Sequence, residues 1–177
     1  MSNGSGSGSW TTIPVAALAS SAKAFQAQLL HVRDQKSAGS QGGSSSATWN
    51  TRTLNTVVTN EISSASVASN QITLPAGTYY IEASAPAHGS TYHWTRLRNI
   101  TDGSDTLIGT SEYAGPSDDN NGQTRSFIRG RFTLGATKVL ELQHYTVVAV
   151  ASIGLGLAYP GAGEVSVFSD VQIWKVG

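Results

Sequence analysis

Alternation of apolar and polar side chains dominates the chain after residue 30. In residues 78–86, Tyr79, Ile81 and Ala83 fall on one face of an extended segment, and Tyr80 and Glu82 fall on the other. A half-buried antiparallel strand requires this period of two, whereas a helix repeats every 3.6 residues. The alternation therefore predicts a β protein built from antiparallel strands.

The composition agrees with an all-β fold. Lys and Glu, which usually cover helix surfaces, are scarce, and only 12% of residues are charged. Four Trp, six Tyr and four Phe argue for a packed core rather than a disordered chain. The alternating pattern predicts strands over residues 30–34, 49–58, 69–74, 78–86, 92–100, 106–113, 125–134, 138–151 and 165–176. In the last of these, Val165, Val167, Val171 and Ile173 share a face. About eight to ten strands at regular spacing fit an antiparallel double-sheet jelly roll.

The first 29 residues have a different character. Residues 1–9, MSNGSGSGS, offer no side chain for a core, so they fit a flexible leader, an extended arm or an engineered linker. Residues 13–30 contain the one helix candidate, rich in Ala and Leu. Ala22-Lys23-Ala24 resembles a signal-peptide cleavage site, but no Lys or Arg precedes the short apolar run. We expect residues 1–29 to be an N-terminal arm or anchoring segment, and residues 30–177 to be the jelly-roll domain.

Charge and cysteine content exclude several classes of protein. Eleven Lys and Arg balance eleven Asp and Glu, which argues against nucleic-acid or anionic-membrane binding. The absence of Cys excludes a disulfide framework, a thiolate zinc site and a cysteine nucleophile. No run of about 18 apolar residues occurs, so we expect no membrane-spanning helix.

The four His residues form no recognisable ligand spacing. Glu141 and His144 are three residues apart, a spacing that joins side chains on a helix but separates them on a strand. His88 follows a strand and precedes Gly89 and Ser90, so we expect it in a solvated loop. These placements predict no metal site among the histidines.

A polar loop at residues 115–123 offers oxygen ligands from Asp118, Asp119 and Asn120. The spacing lacks the alternate-position ligands and the closing Glu of a calcium loop, so a solvated turn is the simpler interpretation. No G-x-S-x-G motif occurs, and no Gly-rich loop joins a strand to a helix. We predict no catalytic residue, no cofactor and no enzymatic activity, with a dispersed carboxylate pair of a glycan-degrading enzyme as the distant alternative.

Large aromatic and cationic side chains fall on strand faces that a monomer would expose. Trp94 shares a face with Arg96 and Arg98, and Arg129 shares another with Arg131. His144 and Trp174 are each placed opposite the more regular aliphatic row of their strand. Such residues mark an interface, a solvated face or a surface covered by the N-terminal segment. The candidate interface residues are Trp94, Arg96, Arg98, Arg129, Arg131, His144 and Trp174.

Several phrases from residue 29 onward resemble a recurrent C-terminal domain of tailed-phage tail-fibre and related virion proteins. They are LLHVRDQKSAGSQGG, TWNTRTLNTVVTNEI, SNQITLPAGTYYIEASAPA, RLRNITDG, SFIRGRF, KVLELQH and SDVQIWKVG. Together these phrases cover most of the chain, and their order is specific. The chain also resembles jelly rolls of the complement-globular-head and tumour-necrosis-factor (TNF) type, through Gly77-Thr78-Tyr79 and a closing apolar strand at residues 171–174. The resemblance implies a homotrimer around a three-fold axis and no enzymatic activity.

The resemblance leads to a functional expectation. It implies a virion structural protein of the short tail-fibre or spike type, made in the host cytoplasm and displayed on the tail or capsid surface as a trimeric knob that attaches to the host. Tail fibres carry a long stem, whereas fewer than thirty residues precede Leu30, so a capsid decoration protein is the alternative. Expected partners are further copies of the chain, other virion proteins through the arm, and host surface polysaccharide. Candidate receptor contacts on or beside loops are His88, Tyr92, Tyr113, Asp118, Asp119, Asn120 and Tyr159.

Overall fold

The computed structural model describes residues 27–116, 122–159 and 163–177. Within these ranges the chain forms strands, turns and loops and no helix. The eleven strands are β1 (Gln28–Lys36), β2 (Trp49–Thr51), β3 (Thr56–Asn60), β4 (Ser66–Ala68), β5 (Gln71–Leu74), β6 (Gly77–His88), β7 (Ser90–Asn99), β8 (Ser104–Pro116), β9 (Gln123–Leu134), β10 (Lys138–Thr146) and β11 (Ser166–Lys175). The described part of the chain contains no helix that could cross a membrane.

The strands form two sheets, and every pairing between them is antiparallel. The five-stranded sheet has the order β3-β1-β11-β6-β9. The six-stranded sheet has the order β4-β5-β10-β7-β8, with β2 paired to the end of β10. From β5 onward the chain passes repeatedly between the sheets, and its first and last strands are neighbours. The antiparallel double-sheet architecture predicted from the sequence is confirmed.

Alternation along the strands builds the core between the sheets. Tyr79, Ile81 and Ala83 of β6 are buried, as predicted, and Leu97 and Leu142 approach them from the other sheet. Each such side chain stabilises the fold by roughly 1.5–3 kcal/mol through removal of apolar surface from water. The apolar core is concentrated toward the end of the sandwich where β1 begins and β11 ends.

Two expectations about the early part of the chain were wrong. The helix candidate over residues 13–30 does not extend to its expected end, because β1 begins at Gln28 and Leu30 pairs with Ile173. Residues 13–26 lie outside the described part. The expected strand over residues 49–58 is two strands, because β2 pairs with β10 in one sheet and β3 pairs with β1 in the other.

Two expectations about the late part of the chain also require correction. The strand expected over residues 138–151 ends at Thr146, after which the chain turns. In β11, Phe168 and Ser169 are both buried because the register shifts opposite Asp34. This bulge breaks the alternation, so Val165 and Val167 do not share the buried face of Val171 and Ile173.

The two ends of the sandwich carry different parts of the chain. At one end β1 begins, β11 ends, and the Thr78 amide donates to the carbonyl of Gly177. At the opposite end, called the loop end below, lie residues 37–48, residue 89 and residues 147–165 in their described portions. Backbone hydrogen bonds join these loops, from Gly42 to Gly156 and from His88 to Gly154. The first described strand, β1, therefore begins at the end remote from the loop end.

Candidate functional site

The candidate interface residues lie on two opposite surfaces of the sandwich and in its interior. Trp94, Arg96 and Arg98 lie on the outer surface of the six-stranded sheet, as their shared face on β7 predicted. Arg129 and Arg131 of β9 and Trp174 of β11 lie on the outer surface of the five-stranded sheet, called the five-stranded face below. Opposite surfaces of one sandwich cannot form a single flat interface, so the set divides into two.

Two histidines lie in places that the sequence did not predict. His144 is fully buried between the sheets, because it faces inward with Leu140 and Leu142; the expectation that a monomer exposes it was wrong. His88 is 6% exposed, because β6 continues through it and its amide donates to Gly154; the expected solvated loop position was also wrong. Neither side chain is available for an external partner.

Aromatic rings cover part of the outer surface of the six-stranded sheet. Trp94 stacks on Tyr145, with 4.6 Å between ring centroids, and Trp49 meets both rings edge-on. Tyr92 and Tyr113, directly paired across β7 and β8, form an edge-to-face pair with centroids 5.1 Å apart. Because Tyr92 and Trp94 share a face of β7, the two groups adjoin. We call these five rings the aromatic strip.

Charged groups beside the aromatic strip are paired within the chain. Asp105 accepts from Arg98 at 2.9 Å and from Arg96 at 3.3 Å. The Arg96 guanidinium also lies 3.8 Å from the Trp49 ring centroid and donates two hydrogen bonds to Gln143. Together with Glu141, which lies directly opposite Arg98 on β10, Asp105 balances the two arginines, so the described part of this surface leaves no uncompensated cation for a partner.

Glu141 is held in an adjoining polar cluster. Its carboxylate accepts hydrogen bonds from Gln71, Thr51 and Gln143 at 2.9, 3.0 and 2.7 Å. Burial raises the pKa of Glu141, but these three donors outweigh burial and hold the pKa below its usual value. Glu141 is therefore an ionised structural group rather than a general acid.

The candidate receptor contacts that the structure describes are mainly tyrosines. Tyr92 is 63% exposed, Tyr113 51% and Tyr159 83%. Tyr159 lies in the loop that follows Ala158, whose amide donates to Gln41 at the loop end. Asp118, Asp119 and Asn120 lie outside the described residues, so the expectation of a solvated turn there stays a prediction. Within the described ranges, no group of three or more His, Cys, Asp or Glu residues could hold a metal ion.

The interior of the loop end is polar, which sequence reasoning missed. Arg52 is fully buried and donates to Ser169, to the Pro86 carbonyl and to the Leu155 carbonyl. Burial lowers its pKa to about 10, against the opposing attraction of Asp34. The available signal was that Arg52 has the same strand parity as buried Leu54.

The five-stranded face has a different character from the aromatic strip. Tyr80 and Trp174 form a tilted pair with centroids 6.0 Å apart. Beside them lies a shallow depression of about 170 Å³, lined by Glu82, Phe127 and Arg129 among others. Among described residues, neither Arg129 nor Arg131 lies within 4.0 Å of a carboxylate oxygen. This face therefore combines apolar rings with unpaired charges of both signs.

The fold is similar to that of solved structures of the TNF-family protein APRIL. A crystal structure of murine APRIL at pH 5.0 has a TM-score of 0.55 and 12% identity, over 85% of this chain and 99% of that chain. The fold is a TNF-like jelly roll. A crystal structure of murine APRIL at pH 8.5 matches the jelly roll over the same shares, with a TM-score of 0.54 and 10% identity. No protein-family model and no curated protein sequence matches the chain.

Proposed function

We propose that this TNF-like jelly roll is a non-enzymatic structural protein of a phage virion. It forms a homotrimeric knob on the particle surface, held by its N-terminal segment, and attaches to the surface of the host cell. Made in the host cytoplasm, it would join the particle during assembly. The proposal combines the tail-fibre resemblance of the sequence with the two-ended arrangement of the domain.

The separation of the two ends carries this proposal. β1 begins beside the end of β11, through the pairing of Gln28 with Lys175, whereas the long loops of residues 37–48 and 147–165, in their described portions, lie at the opposite end. A protein anchored through its N-terminal segment would therefore present the loop end away from the particle. Loops supported by a rigid sandwich are well suited to recognition.

Trimer contacts are assigned in this proposal to the five-stranded face. Trp174 and Tyr80 provide apolar surface there, while Arg129, Arg131 and Glu82 provide charges of both signs that a neighbouring copy can match. Trp94, Arg96 and Arg98 are left out, because Asp105 already pairs with both arginines within one chain. Interfaces with an aromatic centre and a polar rim have this composition.

Host-cell binding tests the proposed attachment directly. The purified full-length protein, labelled with a fluorophore, should bind cells of the strain that propagates the phage and should reduce phage adsorption when added first. Absence of both effects would contradict attachment.

Copy number separates attachment from the decoration alternative. A few trimers per virion, located on the tail by gold-labelled antibody, fit an attachment knob. Hundreds of copies spread over the head would instead establish a decoration protein and overturn the proposed attachment.

A further inference from the structure

The aromatic strip is an unusual surface for a sheet that faces water. Tyr92 and Tyr113 are 63% and 51% exposed although they lie on hydrogen-bonded strands rather than at a loop tip. Strand pairing fixes their backbones, and the edge-to-face contact orients the rings. Because folding has already ordered these two large rings, binding of a partner costs little further conformational entropy there.

The strip is extended in one direction. Tyr113, Tyr92 and Trp94, Tyr145 and Trp49 belong to β8, β7, β10 and β2, which are adjacent strands. Three strand spacings correspond to about 14 Å, comparable to a short oligosaccharide. The rings thus form a continuous platform rather than isolated exposed side chains.

A backbone irregularity adjoins the most exposed part of the strip. The pairing of β7 with β8 shifts register between Ser90 and Thr91, and Thr91 has a φ of 59°. A β-branched residue in this conformation stores strain of about 1–3 kcal/mol. Bulges of this kind often redirect a neighbouring side chain beside a binding site, and Tyr92 is that neighbour here.

Charge decides among ligand classes. Arg96 and Arg98 both pair with Asp105, and Glu141 lies directly opposite Arg98 on β10, so two carboxylates balance the two arginines and the described part of this surface offers no uncompensated cation. Nucleic acids, acidic polysaccharides and anionic lipid surfaces all require such cations. An uncharged glycan does not, and its apolar C–H faces and hydroxyl rim match tyrosine rings with their phenolic hydroxyl groups.

We infer that the aromatic strip, centred on Tyr92 and Tyr113, binds an uncharged hexose polysaccharide. This inference rests on the proposed attachment function and names its ligand class and contact site. The site lies on the flank of the sandwich near the loop end, on the surface opposite the five-stranded face, so trimer formation through that face leaves it open.

The test uses polysaccharide extracted from the host-cell surface, freed of protein and separated by anion exchange into neutral and acidic fractions. The wild-type trimer should bind the neutral fraction, as measured by gel retardation and by quenching of Trp fluorescence. Tyr92→Ala and Tyr113→Ala should each weaken binding roughly tenfold through loss of one ring contact, and the double variant should abolish measurable binding.

Three controls keep the result interpretable. Tyr92→Phe and Tyr113→Phe keep the rings and should retain most of the affinity. Val57→Ala removes an exposed apolar side chain from β3 in the other sheet, outside the strip, and should bind as wild type does. Because Tyr92 and Tyr113 are exposed, the Ala variants should keep the wild-type mass and a melting temperature within a few degrees.

The outcomes separate the inference from the proposed function. If intact cells bind the protein but only the acidic fraction, or neither fraction, is retained, attachment stands and the inference is overturned. Unchanged binding by a folded, trimeric Tyr92→Ala/Tyr113→Ala variant would overturn the inference as well. If neither cells nor polysaccharide bind, both are wrong.

Discussion

His93 Nδ1 lies 2.8 Å from His144 Nε2 in the interior of the sandwich. Thr124 donates its hydroxyl to the Tyr113 carbonyl, so its oxygen accepts from His93 Nε2–H. Burial keeps His93 neutral at neutral pH, so its Nδ1 accepts from His144 Nε2–H and His144 Nδ1 is left as a buried acceptor without a described partner. The chain of hydrogen bonds from His144 to Tyr113 is therefore complete with both rings neutral.

Acidification should destabilise the fold through this pair. Burial lowers the pKa of His93 from 6.5 to about 4 and the pKa of His144 well below 6.5, with Arg52 opposing protonation of both and Glu112 favouring protonation of His93. Between pH 6.5 and 4 the unfolded chain binds more protons than the folded chain, so stability falls as pH falls. The loss from His93 is on the order of 2–3 kcal/mol, measured by urea unfolding across this range.

Replacing the titrating rings should flatten the pH dependence. His93→Gln/His144→Gln keeps hydrogen-bonding groups but removes both titrations, so its unfolding free energy should change much less between pH 6.5 and 4.5. Glu141 contributes in the acid range below about 4.5, because its pKa is lowered. If the unfolding free energy of the double variant depends on pH as steeply as that of wild type, the histidine pair does not control acid stability. If the double variant does not fold, the single His93→Gln variant provides the same test.

Arg52 should be among the most sensitive positions in the domain. Arg52→Met leaves Ser169 and two buried carbonyl groups without their hydrogen-bond donor and removes one of the two cations that favour the ionised form of buried Asp34, which should cost about 3–5 kcal/mol. Arg98→Met, the matched control, removes an arginine whose partner Asp105 is partly exposed and should cost less than about 1 kcal/mol. Equal losses in chemical denaturation would contradict a special role for Arg52.

Gly156 should tolerate no side chain. A Cβ there would overlap the ring of Phe168, and the φ of 137° is one that other residues rarely adopt. Gly156→Ala should therefore destabilise the domain by roughly 2 kcal/mol or more through overpacking and strain. Gly135→Ala is the control, because nothing lies within 4 Å of its Cβ position; similar melting temperatures for the two variants would refute the packing argument.

Substitution of two half-buried tryptophans, one on each outer surface, should show which surface forms the trimer interface. Trp174→Ala removes a ring from the five-stranded face and should shift the protein from trimer toward monomer. Trp94→Ala removes a ring that also contacts a tyrosine, but on the opposite surface, and should remain trimeric. Sedimentation at a temperature where both variants are folded checks this. If only the Trp94 variant dissociates, the interface lies on the outer surface of the six-stranded sheet and the proposed interface is wrong.

The sequence predicts which side chains share a face of a strand better than it predicts which of the two faces is buried. Tyr79, Ile81 and Ala83 were correctly placed together because alternation is a local property. His144 has the same parity as Leu140 and Leu142, whereas the sequence pattern indicated the opposite row of the strand as the regular aliphatic one and so predicted exposure of His144. Its burial depends on His93 and Thr124, which are distant in sequence.

Bulges limit prediction in a second way. One extra residue at Phe168 and Ser169 reverses the side-chain parity of the residues before it in β11, and no local sequence pattern predicts this bulge.

Arg52 illustrates a third limit, because its burial is compensated by carbonyl groups of Pro86 and Leu155, contributed by two other segments. The aromatic strip could be anticipated only in part, since Tyr92 and Tyr113 were candidates but Trp49 and Tyr145 were not.

The mass of the native protein in solution tests the central claim, that this jelly roll works as a trimer whose five-stranded faces meet. Size-exclusion chromatography with light scattering at micromolar concentration should give a particle of three chains of 18.5 kDa each. A folded particle with the mass of a single chain would contradict the account.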